Sequence, residues 1–340
     1  VSNFKDSNEL KALASKIIMA LGKPWVISTH EFYISTSIGI AIFPEHGKTY
    51  NILLKNADTA MHNAKSKGKS CYEVFDFRMH KNILEYIDME KSIRYAIKNQ
   101  EFILYYQPQI DLKSGKVIGL EALIRWIHPK KGMIPPNKFI PIAEKTGLIR
   151  EIGKWVIYEA CRQNKEWIEK GYKPIKISIN LSAIQLKQKN LIDDIKNIIE
   201  ETGVDSNYIE FEITENAAIE DLEKTIGILK ELKQMNFRIA LDDFGTGYSS
   251  LNYLKMLPID YIKLDKFFIS NVTIDSKEQA ITKFLIKLAK EMAIKIIAEG
   301  IETNDQYDYL KKHDCDIGQG YLFGRPISAN EIEEILKKTK

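Results

Sequence analysis

Two adjacent carboxylates, Asp242 and Asp243, end an apolar run and open a glycine-punctuated loop in RIALDDFGTGYSSL, residues 238–251. About 4 Å apart, two such charges repel by about 4 kcal/mol at an effective dielectric of about 20. Partial burial adds a desolvation penalty for each ion. Other apolar runs carry polar residues near their ends in the same way: Glu121 in VIGLEALI (117–124), Asn180 in IKISINL (175–181), Glu212 in YIEFEI (208–213), Lys263 in DYIKLD (260–265) and Glu299 in IKIIAE (294–299). Five carboxylates brought to one place need protons or cations. Oxygen ligands with one Asn amide, and no Cys or His, suit hard cations such as Mg2+ or Mn2+ rather than zinc. Two such ions roughly 3.5–4 Å apart can share a carboxylate and polarise a bridging water for in-line attack on phosphorus. Adjacent aspartates fit that use, one bridging while the next binds a single ion.

The elements that must gather these residues follow from the pattern around them. Strand-like runs at 102–110, 117–124, 175–181, 208–213, 237–243, 260–265, 294–299 and 314–320 are interleaved with helical stretches at 151–170, 192–202, 222–235 and 277–292. Eight strands alternating with helices predict a (β/α)8 barrel, with an open doubly wound α/β sheet as the alternative. Side chains alternate faces along a strand, separating Ile175, Ile177 and Ile179 from Lys176, Ser178 and Asn180, and Phe237, Ile239 and Leu241 from Arg238, Ala240 and Asp242. If the apolar sets pack on outer helices, the polar sets point inward. They also lie near the C-terminal ends of the strands, where barrel enzymes build their sites. The plain alternative is a set of half-exposed strands facing water, and six strands ending alike argue against it.

The bulk numbers are ordinary. Forty-nine basic and 46 acidic residues among 340 give a net charge of +3, too balanced to predict a DNA or RNA partner. Cys71, Cys161 and Cys315 are scattered and match no CxxC spacing, which points to reduced thiols and a cytoplasmic setting. No apolar run approaches the roughly 18 residues of a membrane span. Residue 1 is Val, so the chain is expected to be part of something longer, with any sensor or anchor upstream. The GKS at 68–70 lacks the first glycine of a P-loop, because that position is Asn63. GTGYSS lacks the last glycine of a dinucleotide fingerprint, and the six histidines form no ligand cluster.

GLEALIRW (119–126) resembles the signature of the EAL family, phosphodiesterases that hydrolyse cyclic di-GMP. The likeness extends through YYQP, ISINLS, FEITEN, DDFGTGYSSL, IKLD, AEGIET and CDIGQGY, in that order. The resemblance implies a modified TIM-type barrel with one antiparallel strand, and opening of one phosphodiester to give linear pGpG. It implies that Glu121, Asn180, Glu212 and Asp242 hold one metal and that Asp242, Asp243 and Glu299 hold the second. Lys263 would deprotonate or position the attacking water, or merely neutralise the acidic cluster, with Glu121 and Glu302 as further catalytic positions. Gln107, Arg125, Asp265 and Gln319 match substrate contacts, and Glu215 matches the glutamate that steadies the loop after the paired aspartates. Members of the family commonly dimerise near that loop, so a homodimer is expected. A non-catalytic cyclic di-GMP receptor using the same pocket is the alternative.

Ahead of the barrel, helical patterns at 7–21 and 51–67 flank a strand-like run at 31–43, and 70–76 reads as one more strand. STSIGIAIFPEHG and NADTAMHNAKSKGKS resemble the C-terminal half of a GGDEF domain, with Lys65 and Lys69 at positions that touch GTP phosphates there. The signature loop of that domain is absent, so synthesis of cyclic di-GMP by these residues is not expected, and a GTP-sensing role is weakened. Half a domain should leave sheet edges uncovered, and is expected to rest on the barrel, swap with a neighbour or be poorly ordered. The expected division is 1–77, a helical connector at 78–100, and the barrel at 101–340.

Overall fold

Eight strands in the second part of the chain close on one another. In chain order they are β1 (Phe102–Asp111), β2 (Val117–His128), β3 (Lys176–Leu181), β4 (Ile209–Thr214), β5 (Arg238–Phe244), β6 (Tyr261–Leu264), β7 (Lys295–Ala298) and β8 (Ile317–Gln319). Each pairs with the next, and β8 returns to β1, so the sheet has no open edge between them. β1 runs antiparallel to both its neighbours, β2 and β8. The other pairings are parallel. The result is a (β/α)8 barrel with one reversed strand, as expected, and not an open doubly wound sheet. Two short strands, Gly132–Ile134 and Ile327–Ser328, extend the sheet beside β2 and β1.

This computed structural model describes residues 4, 6–28, 30–67, 70–245 and 251–337. They fall into two compact units, Val1–Lys91 and Ser92–Lys340, and the helix Phe77–Lys98 runs through the division. No helix among the described residues is long and apolar enough to cross a membrane.

The barrel wall follows from strand alternation. On β3, Ile177 and Ile179 are fully buried on the helix side, while Ser178 turns inward and its Oγ donates to Glu210 Oε1 at 2.6 Å. The helix Ile149–Glu169 buries Ile149, Ile152, Val156, Ile157, Ala160 and Trp167 at helical spacing, and that apolar stripe packs on β3 and β1. Phe102, Trp126 and Phe139 form an aromatic cluster with ring centroids 5.5–5.7 Å apart at the end of β1 and β2. Below the polar centre, Lys176 Nζ reaches Glu210 at 2.5 Å and lies 4.1 Å above the Tyr261 ring, filling the barrel floor with a satisfied ion pair.

The first unit departs from its predicted form. The single strand expected at 31–43 is divided: His30–Phe32 pairs antiparallel with Trp25–Ile27, and Ile38–Ile40 pairs parallel with Tyr72–Val74. Its partners are three residues long, too short to hold one long strand in register. The helices Ser7–Leu21 and Tyr50–Ser66 form where the spacing predicted them, capped by Asp6 and Thr49. Lys65 lies in the last turn of the second helix, and Lys69 lies outside the described residues.

Candidate active site

Lys263 on β6 is the centre of the site. Its side chain is 1% exposed, yet the ammonium lies 2.6 Å from Glu212, 2.8 Å from Glu299, 3.3 Å from Asp242 and 3.8 Å from Glu121. These residues come from β2, β4, β5, β6 and the end of β7, all at the carboxyl ends of the parallel strands. One ammonium cannot balance four carboxylates, and the consequences appear in their proton affinities. Burial works against the charged Lys263, but Glu121, Glu212, Glu299 and Asp242 together hold its pKa well above the usual lysine range. Burial likewise resists ionisation of Glu121. The Lys263 charge, with hydrogen bonds from Gln319 and Asn180, overcomes it and holds that carboxyl below its ordinary value. Glu212 is pushed well above its ordinary value by burial and by the neighbouring acids, despite Lys263. Burial pushes Glu299 up to about 8, Lys263 opposing and Asp242 and Glu121 reinforcing the rise.

Strict alternation would send Asp242 and Asp243 to opposite faces of β5. The pairing of β5 with β6 instead shifts register between Leu241 and Phe244, and Asp243 adopts φ +54°. This bulge turns both carboxylates toward one place. Oxygen atoms of Asp242, Asp243 and Glu299 come within 4.8 Å of one another. The Asp243 N–H donates to Asp242 Oδ1 at 2.9 Å. Burial, then Asp242 and Asp265, raise the Asp243 pKa. A left-handed aspartate is tolerated better than most residues there but stores backbone strain, a hallmark of functional positions. Asp243→Gly is therefore expected to stabilise the metal-free protein by about 1 kcal/mol, by removing strain and a repelling charge. A lower melting temperature for the variant in EDTA would contradict this account.

The remaining expected residues fall around this centre. Asn180 is exposed at the mouth, and its Nδ2 donates to Glu121 Oε1 at 2.9 Å, leaving its oxygen free to face a cation. Gln319 Nε2 donates to the other Glu121 oxygen, and Gln107 Nε2 donates to the Gly324 carbonyl at 3.1 Å. Arg125 lies two alternations beyond Glu121 on β2, half-buried, with its guanidinium donating to the Ile124 carbonyl and lying over Tyr105. Asp265 caps the helix Lys266–Ser270, accepting from Phe267 N at 2.7 Å. Glu302 is paired with Lys266 rather than with the buried cluster. Glu215, 1% exposed, accepts from Gly245 N at 2.9 Å and from the Tyr253 hydroxyl, so it ties down both sides of 246–250, which include Gly247 and lie outside the described residues.

A cavity of about 320 Å³ opens over this cluster, lined by Gln107, Glu121, Asp242, Lys263, Glu299 and Gln319 and, on its rim, Lys266, Gly300, Glu302 and Tyr321. Lys266, Tyr321 and Gly300 were not foreseen. Gly300 follows Glu299 at φ +68°, and a Cβ there would meet Lys266 at 2.5 Å, so a glycine directly after a strand-end acid was the available signal. The donor set fits divalent cations on one further observation. Glu212 Oε1 is buried and has no hydrogen-bond partner among the described residues, although Glu212 Oε2 is held by Lys263. A buried carboxyl oxygen beside three other acids, on a group that burial and those acids push toward its protonated form, is what a divalent cation would satisfy.

Fold and centre together define a class: a barrel with one reversed strand and a carboxylate-rich site at the carboxyl ends of the others. The chain belongs to the EAL domain family, matching it over residues 90–326, and residues 1–71 match the diguanylate cyclase, GGDEF domain. It is 40% identical over 328 residues to the bifunctional diguanylate cyclase/cyclic di-GMP phosphodiesterase MucR of Pseudomonas aeruginosa, covering 96% of this chain and 48% of that protein. It is 36% identical to the cyclic di-GMP phosphodiesterase PdeR of Escherichia coli over 97% of this chain and 50% of that one. The chain thus spans about half the length of the curated relatives it matches. Among solved structures, the PaMucR phosphodiesterase in complex with c-di-GMP superposes with a TM-score of 0.69 at 40% identity, over 72% of this chain and 99% of that one. The EAL enzyme Bd1971 with cAMP and cyclic di-GMP bound gives 0.70 at 32% identity, over 77% and 72%.

Proposed function

We propose that this chain hydrolyses cyclic di-GMP to linear pGpG in a reaction dependent on two Mg2+ or Mn2+ ions. The observation that carries the reading is the convergence of Glu121, Glu212, Asp242 and Glu299 on one buried ammonium, with Asp243 turned into the same place by a bulge. Glu121, Asn180, Glu212 and Asp242 would hold one ion, and Asp242, Asp243 and Glu299 the other. When bound, the ions supply an activated water and neutralise charge on the phosphodiester. Lys263, at hydrogen-bond distance from Glu212 and Glu299, faces the same place. It orients the carboxylates, and donates to the oxygen that attacks or to the charge that develops on phosphorus. Gln107, on the cavity wall, Arg125, further along β2, and Gln319 would contact the dinucleotide, as would Asp265, which also caps the helix at the rim. Glu302 holds Lys266 at the cavity edge, and Glu215 steadies the loop beyond Asp243. The relatives named for this activity and the c-di-GMP-bound structures support the substrate. A homodimer through the surface near that loop, and the division of the chain at 77 and 100, belong to the same reading.

The test is direct. Incubated with cyclic di-GMP and Mg2+ or Mn2+, the chain is expected to release pGpG, and EDTA is expected to stop it. Tight binding of cyclic di-GMP with no product under either metal would identify a receptor instead.

A further inference from the structure

Gln109 belongs to none of the ligand sets above, yet it is fully buried inside the barrel. It sits two residues after Gln107 on β1, on the same face. Its Nε2 donates to Gln319 Oε1 at 3.1 Å. Gln319 Nε2 donates in turn to Gln107 Oε1 at 3.2 Å and to Glu121 Oε2. The direction of this chain is dictated from one end. An ionised carboxylate only accepts, so Gln319 must turn its NH2 toward Glu121 and its oxygen toward Gln109. Gln109 must then offer its own NH2 to that oxygen.

The other end of the chain bears the consequence. Gln109 Oε1 is buried with no hydrogen-bond partner among the described residues. Its register partner on β2 is Gly119, where a Cβ would meet that oxygen at 2.7 Å. Rotating the Gln109 amide would set its oxygen against Gln319 Oε1 and release Gln319 to rotate away from Glu121. Gln109 therefore stays unsatisfied in the orientation that keeps Gln319 donating. Gln319, 4% exposed with both amide hydrogens committed, acts on Glu121 from this position.

We infer that Gln109 is a positioning residue for metal binding: by donating to Gln319 Oε1 it reinforces the amide orientation that Glu121 sets, and so helps hold the Glu121 carboxylate toward the cation. The inference rests on the reading of Glu121 as a metal ligand given under Proposed function. Outer groups that orient metal ligands affect affinity by about 10- to 100-fold when removed.

The experiment is Mn2+ binding, followed by calorimetry or electron paramagnetic resonance, on the full chain. It compares the parent protein with Gln109→Met, Gln319→Met, the double variant and Glu121→Ala, with urea unfolding in EDTA alongside. Methionine keeps the volume of glutamine and removes both polar atoms. In Gln109→Met, affinity at the first site is expected to fall about tenfold while metal-free stability barely moves, because Gln319 Oε1 becomes orphaned as Gln109 Oε1 disappears. The double variant is expected to bind no more weakly than Gln319→Met, since Gln109 acts only through Gln319. Unchanged affinity in Gln109→Met with weakened Glu121→Ala overturns the inference and leaves the metal assignment standing. Unchanged affinity in Glu121→Ala overturns both. Additive losses in the double variant, or a loss of metal-free stability that tracks the affinity loss in Gln109→Met, would make Gln109 a packing residue and overturn the inference.

Discussion

Asp242→Asn is expected to lower the hydrolysis of cyclic di-GMP about a thousandfold, equivalent to about 4 kcal/mol of transition-state stabilisation. The substitution is nearly isosteric, and it keeps an oxygen to accept the Asp243 N–H at 2.9 Å, so the bulge has no reason to relax. What it removes is one negative charge and one of two carboxylate oxygens. Asp242 is the only residue in both proposed ligand sets, and a neutral amide offers one oxygen where sharing needs two. The stoichiometry of Mn2+ binding is therefore expected to fall from two toward one. Metal-free stability should hold or rise, since a like charge has been taken from a crowded site. Hydrolysis within tenfold of the parent, with two ions still bound, would show that Asp242 does not bridge.

Much of this site was legible in the sequence, for a simple reason. Period-two alternation on buried strands leaves few explanations for a polar residue at the strand end, and six strands repeated the pattern. Glu121, Glu212, Asp242, Lys263 and Glu299 meet because a barrel brings every strand end to one mouth. The arrangement of Asp243 was not legible, since alternation places it on the wrong face. The bulge at Leu241–Phe244 that corrects this depends on pairing with β6, a contact distant in sequence. Gln109 was within reach, because Gln107 and Gln109 share a face by the same alternation, but its role emerges only through Gln319, 210 residues later. The divided strand at 31–43 was missed because its composition is continuous while its partners are short.

Lys263→Met should separate the roles left open for this lysine. The side chain is buried and is the one cation within 4 Å of Glu121, Glu212, Asp242 and Glu299 among the described residues. Removing one partner of a buried ionic set costs about 3–5 kcal/mol, because the charges left behind lose both water and counter-ion. The lysine's folded pKa is raised, so its stabilisation is fully present below the ordinary lysine value, and the whole of it is lost to the substitution at neutral pH. The carboxylates can answer only by taking up protons. Glu299, already pushed up from 4.5 to about 8, binds more protons folded than unfolded, so its effect favours folding below 4.5 and is progressively lost as pH rises through about 8. In the variant that window extends upward. Urea unfolding in EDTA is therefore expected to reveal a deficit near the full 3–5 kcal/mol at pH 8 and a smaller one at pH 6. Saturating Mn2+ should recover most of it, since two divalent ions replace the missing charge. A deficit independent of both pH and Mn2+ would point to packing alone. With stability recovered, the remaining activity separates the two roles. A lysine that only neutralises acids becomes dispensable once the metals are bound, and hydrolysis should return. A lysine that donates to the attacking oxygen or the developing phosphoryl charge cannot be replaced by them, and hydrolysis should stay at least about a hundredfold low.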